Sequence, residues 1–183
     1  STLPASTLHR LTHLCDTGGA IAAQAALAQL ALAAGLYAKP VMGSKALPDH
    51  GGWTPETGLC DPLAGRSTDK PLIALTFYRA YVSSADTAPI EALFEEFRGR
   101  GFDVIGLFAP SLKVPASAAW MADTLQQLSP DAIVNATSFS GKGDNGTSPL
   151  DATDAPVFQV ALATPRKKDW SGTARGVGPA GPA

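Results

Sequence analysis

The sequence has few cysteines and no long apolar run, and both absences narrow the class of protein. Two cysteines, Cys15 and Cys60, are too few for a disulfide framework and are consistent with a reducing compartment. No run approaches the roughly 20 apolar residues of a membrane helix. The nearest, residues 20–34, is interrupted by Gln24 and Gln29. The N-terminus lacks the basic region and apolar core of a signal peptide, so we expect a cytoplasmic protein without a membrane span.

An excess of charge of either sign is also missing. The 14 basic and 16 acidic residues give a formal net charge of −2. This balance does not indicate a surface for a polyanion, so we expect no nucleic-acid partner. The sequence starts with Ser rather than Met and stops in Gly-Pro-Ala, which leads us to expect an internal piece of a longer protein.

Composition divides the chain into four segments. Residues 1–37 have leucines and alanines at helical spacing and predict a helical hairpin, with Gly35 at its C-terminal cap. Residues 38–70 are broken by repeated glycine and proline, and we interpret them as a linker or covering loop. Residues 71–163 predict an α/β domain, and residues 164–183 predict a loosely held tail.

Short apolar runs alternate with amphipathic patterns in the α/β domain. The predicted strands are Leu72–Phe77, Phe102–Phe108, Ala132–Asn135 and Val157–Leu162, and the predicted helices are Ala88–Arg100 and Ala116–Leu128. Continuous apolar strands are typical of parallel sheets, whose crossovers are right-handed. The pattern therefore predicts a flavodoxin- or Rossmann-like parallel sheet with flanking helices, preceded by a small helical segment. We expect the first strand between the second and the third.

The point where the strand order reverses is the predicted binding surface. Ligands of such sheets bind outside the carboxyl ends of the strands, at the reversal. Here the reversal brings residues 78–87, after the first strand, beside residues 135–148, after the third. Arg79 could bind a carboxylate or amide through its planar donor fork. An ion pair with Asp86 or Asp103 is the structural alternative.

The second of these stretches is a polar, glycine-rich loop, residues 137–148. Such loops can hold an anion against backbone N–H groups. The spacing matches neither a phosphate-binding loop nor a dinucleotide fingerprint, and a plain solvated loop remains the alternative.

The histidines and cysteines do not form a recognisable catalytic set. His9 and His13 lie four residues apart on a predicted helix, with Cys15 nearby, a spacing that metal ligands can have. Their leucine neighbours are more typical of a packing stripe. His50 lies in the linker without a visible partner, and none of these residues follows a strand. We therefore predict no metal site and assign no catalytic residue.

Several short motifs follow one another in order from residue 71 to residue 178. They include Pro71-Leu-Ile-Ala-Leu-Thr-Phe-Tyr-Arg79, Thr87-Ala-Pro-Ile-Glu-Ala-Leu93, Ser111-Leu-Lys113, Asp131-Ala-Ile-Val-Asn-Ala-Thr-Ser-Phe139 and Ala155-Pro-Val-Phe-Gln-Val160. In this order they resemble the cobaltochelatase large subunits of the CobN type, which share a family with the magnesium-chelatase H subunits. The likeness is weaker over residues 1–70.

The resemblance implies an enzyme that forms nitrogen–metal bonds. Such an enzyme inserts cobalt(II) into the corrin ring of hydrogenobyrinic acid a,c-diamide in cobalamin biosynthesis, while AAA-type partner subunits hydrolyse ATP with magnesium. Cobalt is then a substrate, and we expect no cofactor bound to this chain and no activity from it alone. Alternatives are a magnesium-chelatase-type subunit, a ligand-binding module without catalysis and an architectural domain.

The resemblance also implies where the macrocycle is held. By this likeness, together with their place at the strand ends, the residues that line the macrocycle cleft, or contact another domain of the same subunit, are Tyr78, Arg79, Asn135, Thr137 and Ser138.

Overall fold

A computed structural model describes residues 3–39, 41, 47–64, 69–138, 141–142 and 146–162. The helices are α1 Ala5–Thr17, α2 Ala20–Ala33, α3 Arg79–Ser83, α4 Ala88–Gly99 and α5 Pro115–Leu128, with a 3₁₀ turn at Pro149–Ala152. The strands are β1 Gly51–Thr54, β2 Gly58–Cys60, β3 Leu72–Tyr78, β4 Asp103–Ala109, β5 Ala132–Asn135 and β6 Val157–Gln159. Among these residues, no helix is both long enough and apolar enough to cross a membrane.

Strand β3 lies at the centre of a six-stranded sheet with the order β2-β1-β4-β3-β5-β6. It pairs in parallel with β4 on one side and with β5 on the other, so the predicted position of the first α/β strand is confirmed. Strand β6 ends earlier than predicted, at Gln159. The reason is that its partner β5 ends at Asn135, whose carbonyl accepts the last hydrogen bond, from the Val160 N–H.

The sheet carries one apolar core on each face, as a doubly wound fold requires. On one face, Ile73, Leu75 and Phe77 of β3 pack with Ile90 and Phe94 of α4. On the other face, Leu72 and Ala74 pack with residues of α5, namely Met121, Leu125 and Leu128. Alternate residues of β3 thus point to opposite helices, which explains why its sequence is almost entirely apolar, with Thr76 as the buried polar exception.

The interpretation of residues 38–70 as lacking regular structure is wrong for the β1–β2 hairpin. Strand β1 extends the sheet antiparallel to β4, and Trp53 is buried with its ring edge-on to Phe77 and Phe94. The glycines that suggested a linker allow this packing. A Cβ at Gly52 would lie 2.8 Å from the Cys60 carbonyl oxygen, so only glycine fits between these strands.

The helical hairpin predicted near the start of the chain is confirmed by α1 and α2, including the cap at Gly35. Gly35 has a φ of +77°, and the Leu36 N–H donates to the Ala31 carbonyl, which is the pattern of a Schellman motif. Between the two helices, the Gly19 N–H donates to the Ser83 carbonyl of α3 at 2.7 Å. This hydrogen bond ties the hairpin to the α/β domain.

Most of the apolar surface of α2 is exposed. This helix contains no charged residue, and of its side chains only that of Ala22 is buried. The large apolar side chains exposed on α2 and just after it are Ile21, Leu27, Leu30, Leu32, Leu36 and Tyr37. A helix that is apolar on all sides is ordinarily enclosed by protein.

Candidate functional site

A cavity of about 320 Å³ opens at the carboxyl edge of the parallel strands. Its lining residues lie at or beyond the carboxyl ends of β3, β4 and β5: Tyr78, Pro110, Ser111, Leu112, Lys113, Thr137 and Gly141. The edge predicted from the strand order therefore contains a concave surface.

A second cavity of about 430 Å³ continues from the first along α5. Both are lined by Leu112, Lys113 and Gly141, and the second extends past Ala118 and Ala122 to the 3₁₀ turn. We call the two cavities together the carboxyl-edge groove. Each volume lies in the range of about 300–1,000 Å³ that is usual for small-molecule sites.

Gly141 is packed into the floor of this groove. Its φ is +66°, and a Cβ there would lie 2.8 Å from Leu112 Cδ1 and 3.2 Å from the Ser148 hydroxyl oxygen. Only glycine combines this conformation with such close contacts. Gly141 is therefore packed between Leu112, in the segment after β4, and Ser148, which precedes the 3₁₀ turn.

Asn135 lies behind the groove and is completely buried. Its side-chain oxygen accepts hydrogen bonds from the hydroxyls of Thr76 and Thr137, each at 2.8 Å. Its side-chain nitrogen donates to Gln159 Oε1 at 2.8 Å, and the Gln159 amide donates to the Thr137 carbonyl. These bonds join the ends of β3, β5 and β6, so the side chain of Asn135 supports the edge from within.

The side chain of Arg79 forms hydrogen bonds with the segment before β1. Its Nε and Nη2 donate to the carbonyls of Pro48 and Leu47, each at 2.9 Å, while Asp49 lies 4.0 Å from Nε. The suggested pairing with Asp86 or Asp103 is therefore wrong. The fork of donors holds residues 47–50 against the carboxyl edge, and the side chain is only 18% exposed.

The same segment brings His50 onto α5. Its ring stacks on Trp120 with centroids 4.8 Å apart, and its Nδ1 lies 3.5 Å from the Ser117 hydroxyl. His50, which had no visible partner in the sequence, thus helps to attach residues 47–50. The partners of both Arg79 and His50 are far away in sequence, which is why no local pattern indicated them.

The five predicted site residues therefore separate into two groups. Tyr78 and Thr137 line the groove, whereas Arg79, Asn135 and the exposed Ser138 are not among its lining residues. Sequence reasoning did not assign the loop after β4, residues 110–113, to the site. The rule that ligands bind at carboxyl strand ends applies to β4 as well, and would have included it.

A sequence model of the CobN/magnesium chelatase family matches residues 16–182, which is most of the chain. The chain belongs to this family. It is 30% identical over 118 residues to the aerobic cobaltochelatase subunit CobN of Sinorhizobium sp., covering 63% of this chain and 9% of that protein. It is 31% identical over 134 residues to the aerobic cobaltochelatase subunit CobN of Pseudomonas aeruginosa, covering 72% of this chain and 10% of that protein.

A solved structure has the same fold. The catalytic subunit of cobaltochelatase from Mycobacterium tuberculosis superimposes with a TM-score of 0.68 at 22% sequence identity, covering 98% of this chain and 15% of that one. The chain thus spans about a tenth of the length of the CobN relatives it matches.

In this member of the CobN family, Lys113 and Asp151 are the charged residues among the described side chains that line the groove. An Asp151 carboxylate oxygen accepts a hydrogen bond from the Ser148 N–H at 3.0 Å, which caps the 3₁₀ turn. Beside Phe77, burial raises the pKa of the Tyr81 phenol above its usual value. Within the described ranges, no three His, Cys, Asp or Glu side chains are grouped to hold a metal ion.

Proposed function

We propose that this chain is part of the macrocycle-binding surface of a cobaltochelatase large subunit. In this proposal the parent enzyme inserts cobalt(II) into hydrogenobyrinic acid a,c-diamide, and ATP is hydrolysed by AAA-type partner subunits. Family membership and the two CobN relatives support the class of enzyme. The observation that carries the role of this chain is the carboxyl-edge groove, where Tyr78 and Thr137 meet the loop after β4.

The lining of the groove suits a ring with an apolar face and a polar rim. Apolar contacts are available from Pro110, Leu112, Ala118 and Ala122. The lining residues with hydroxyl groups are Tyr78, Ser111, Thr137, Thr147 and Ser148. The hydroxyls of Ser111, Thr137 and Ser148 also take part in hydrogen bonds within the chain. An apolar pocket with a few convergent polar groups is the usual composition of a cofactor-sized site.

The proposed role is binding and not metal insertion. A chelatase must hold the incoming cobalt(II) with nitrogen, sulfur or oxygen ligands, and the described residues do not group such ligands. We therefore assign the handling of cobalt to other parts of the large subunit. On this account the isolated chain binds the metal-free ring but does not metallate it.

The experiment is a titration of metal-free hydrogenobyrinic acid a,c-diamide into the purified chain, followed by the corrin absorbance band. Ala122→Phe would fill the groove, since Ala122 lines it, whereas Ala119→Phe places the same ring on the exposed side of α5. We expect saturable binding that Ala122→Phe weakens at least about tenfold, a loss of roughly 1.4 kcal/mol, and that Ala119→Phe leaves unchanged. No binding by the folded wild-type chain would refute the proposed role.

The exposed apolar surface of α2 favours a second, architectural role beside the first. We propose that α2 packs against another segment of the same large subunit, because the CobN relatives are about ten times longer than the part that matches this chain. Leu27, 67% exposed, tests this. Leu27→Glu should change the stability of this chain by less than about 0.5 kcal/mol but lower that of the longer subunit by about 2 kcal/mol or more. Equal, small effects in both would exclude the contact.

A further inference from the structure

Lys113 occupies the junction of the two cavities that form the groove. It lines both of them, and no other described lining residue is cationic. Its position follows from the sheet, because the segment 110–113 continues directly from the carboxyl end of β4. A ligand that filled either cavity would therefore contact Lys113.

The backbone that carries Lys113 is fixed. The Lys113 N–H donates to the Ser111 hydroxyl oxygen at 3.1 Å, and the Val114 N–H donates to the Ser111 carbonyl. The preceding residue, Leu112, is 4% exposed and packs in the core beneath α5, where Gly141 lies against it. The point from which the lysine side chain extends is thus well defined, although the side chain itself is exposed.

Within the described part of the chain, the ammonium group of Lys113 forms no ion pair. Asp151, the acidic residue that lines the groove, directs a carboxylate oxygen to the Ser148 N–H instead. The groove therefore presents an ammonium group that forms no ion pair with the carboxylate of its described lining, among side chains that carry hydroxyl groups. This combination selects for a ligand with an anionic group at its rim.

We propose that Lys113 is a specificity residue that binds a free carboxylate on the rim of the macrocycle. This inference rests on the proposed function. Hydrogenobyrinic acid a,c-diamide is an acid amidated at two of its positions, so free carboxylates remain on its rim. An ammonium group attracts a carboxylate through charge and donates hydrogen bonds to it. A carboxamide at the same position would accept a hydrogen bond but would lack the opposite charge, so its attraction to the ammonium group would be weaker.

The test compares two metal-free corrinoids, hydrogenobyrinic acid a,c-diamide and a fully amidated form, bound by three proteins: wild type, Lys113→Gln and Lys70→Gln. Lys70 is a matched control because it is exposed and precedes β3, at the opposite edge of the sheet. We expect Lys113→Gln to weaken binding of the acid about fivefold, the effect of an exposed ion pair. Its binding of the amidated ring should match that of the wild type, and Lys70→Gln should match the wild type for both rings.

Three further results complete the test. Lys113→Arg should keep the preference for the acid, and added salt should reduce that preference in wild type but not in Lys113→Gln. If wild type binds the acid and Lys113→Gln binds it equally well, the role of Lys113 is refuted while the proposed function stands. If wild type binds neither ring, the proposed function fails, and the role of Lys113 fails with it. Thermal melts of each variant establish that the compared proteins are folded.

Discussion

The hydroxyl of Thr76 donates a 2.8 Å hydrogen bond to the side-chain oxygen of Asn135 across the β3–β5 pair. The two residues are register partners at the carboxyl ends of neighbouring parallel strands, and both are completely buried. Because buried polar groups are costly unless they are paired, this bond and its neighbours fix the relative positions of the strand ends that carry the groove.

Replacement of Asn135 should therefore destabilise the fold. Asn135→Ala removes the common acceptor of the Thr76 and Thr137 hydroxyls, and we expect a loss of about 2–3 kcal/mol in the free energy of unfolding. Thr76→Val, which removes a single donor and keeps the side-chain shape, should cost about 1 kcal/mol. Urea denaturation measures both. A loss below about 1 kcal/mol for Asn135→Ala would contradict the supporting role of this network.

Gly141 provides a test of how the groove is built. Gly141→Ala and Gly146→Ala share the penalty of a positive φ, about 1 kcal/mol. Only Gly141→Ala also clashes, since its Cβ would lie 2.8 Å from Leu112, whereas nothing lies within 4 Å at Gly146. We expect Gly141→Ala to cost at least about 1 kcal/mol more than the control and to weaken corrinoid binding. Equal costs in thermal unfolding would show that the contact with Leu112 is not tight.

Arg79 should act on the segment before β1 and not on the ligand directly. Arg79→Ala removes the donors to the Leu47 and Pro48 carbonyls, so amide hydrogen exchange over residues 47–54 should become about tenfold faster. Arg79→Lys should be intermediate, because an ammonium group lacks the planar fork. Unchanged exchange in this segment, with corrinoid binding lost, would instead make Arg79 a ligand contact.

A pH effect is expected where the β1–β2 turn meets α4. The hydrogen bond from Arg98 lowers the pKa of Glu56 below its usual value, in spite of an opposing effect of desolvation. The folded state therefore favours the ionised form. This contribution to stability is present above the ordinary pKa of glutamate, near 4.3, and is lost as the pH falls through the lower folded value.

The size of this effect is limited by exposure. The side chains of Arg98 and Glu56 are 37% and 60% exposed, so the pair contributes at most about 0.5 kcal/mol. The thermal midpoint of the wild type should fall between about pH 5 and pH 3 partly because this pair is lost, and Glu56→Gln should remove that part of the fall. Glu95→Gln is the control, because Glu95 lies on α4 without an ion pair to any described residue. An identical pH profile for wild type and Glu56→Gln would contradict the assignment.

The α/β fold could be predicted because its signals are local. The nearly continuous apolar run of β3 and the stripe formed by Ile90 and Phe94 on α4 each lie within one element, and the common flavodoxin-like order then places the first strand between the second and the third. The β1–β2 hairpin was missed because Gly52 has the same appearance in a sequence whether it breaks a strand or allows two strands to approach closely.

The candidate site could be predicted only in part, for a related reason. Tyr78 and Thr137 were found because strand ends can be read from the sequence. The functions of Arg79 and Asn135 depend on which groups they meet, namely carbonyls from residues 47 and 48 and hydroxyls on other segments, and those partners are set by tertiary structure. Lys113 follows β4 and was within reach of the same rule, but only the cavities show that it faces the groove.

Binding of the macrocycle in the carboxyl-edge groove can be tested by hydrogen exchange with and without the metal-free corrinoid. We expect saturating hydrogenobyrinic acid a,c-diamide to slow exchange in residues 111–118 and around Thr137, and to leave β2, at the far edge of the sheet, unchanged. Saturable binding that protects the α1–α2 hairpin, and leaves residues 111–118 unchanged, would contradict it.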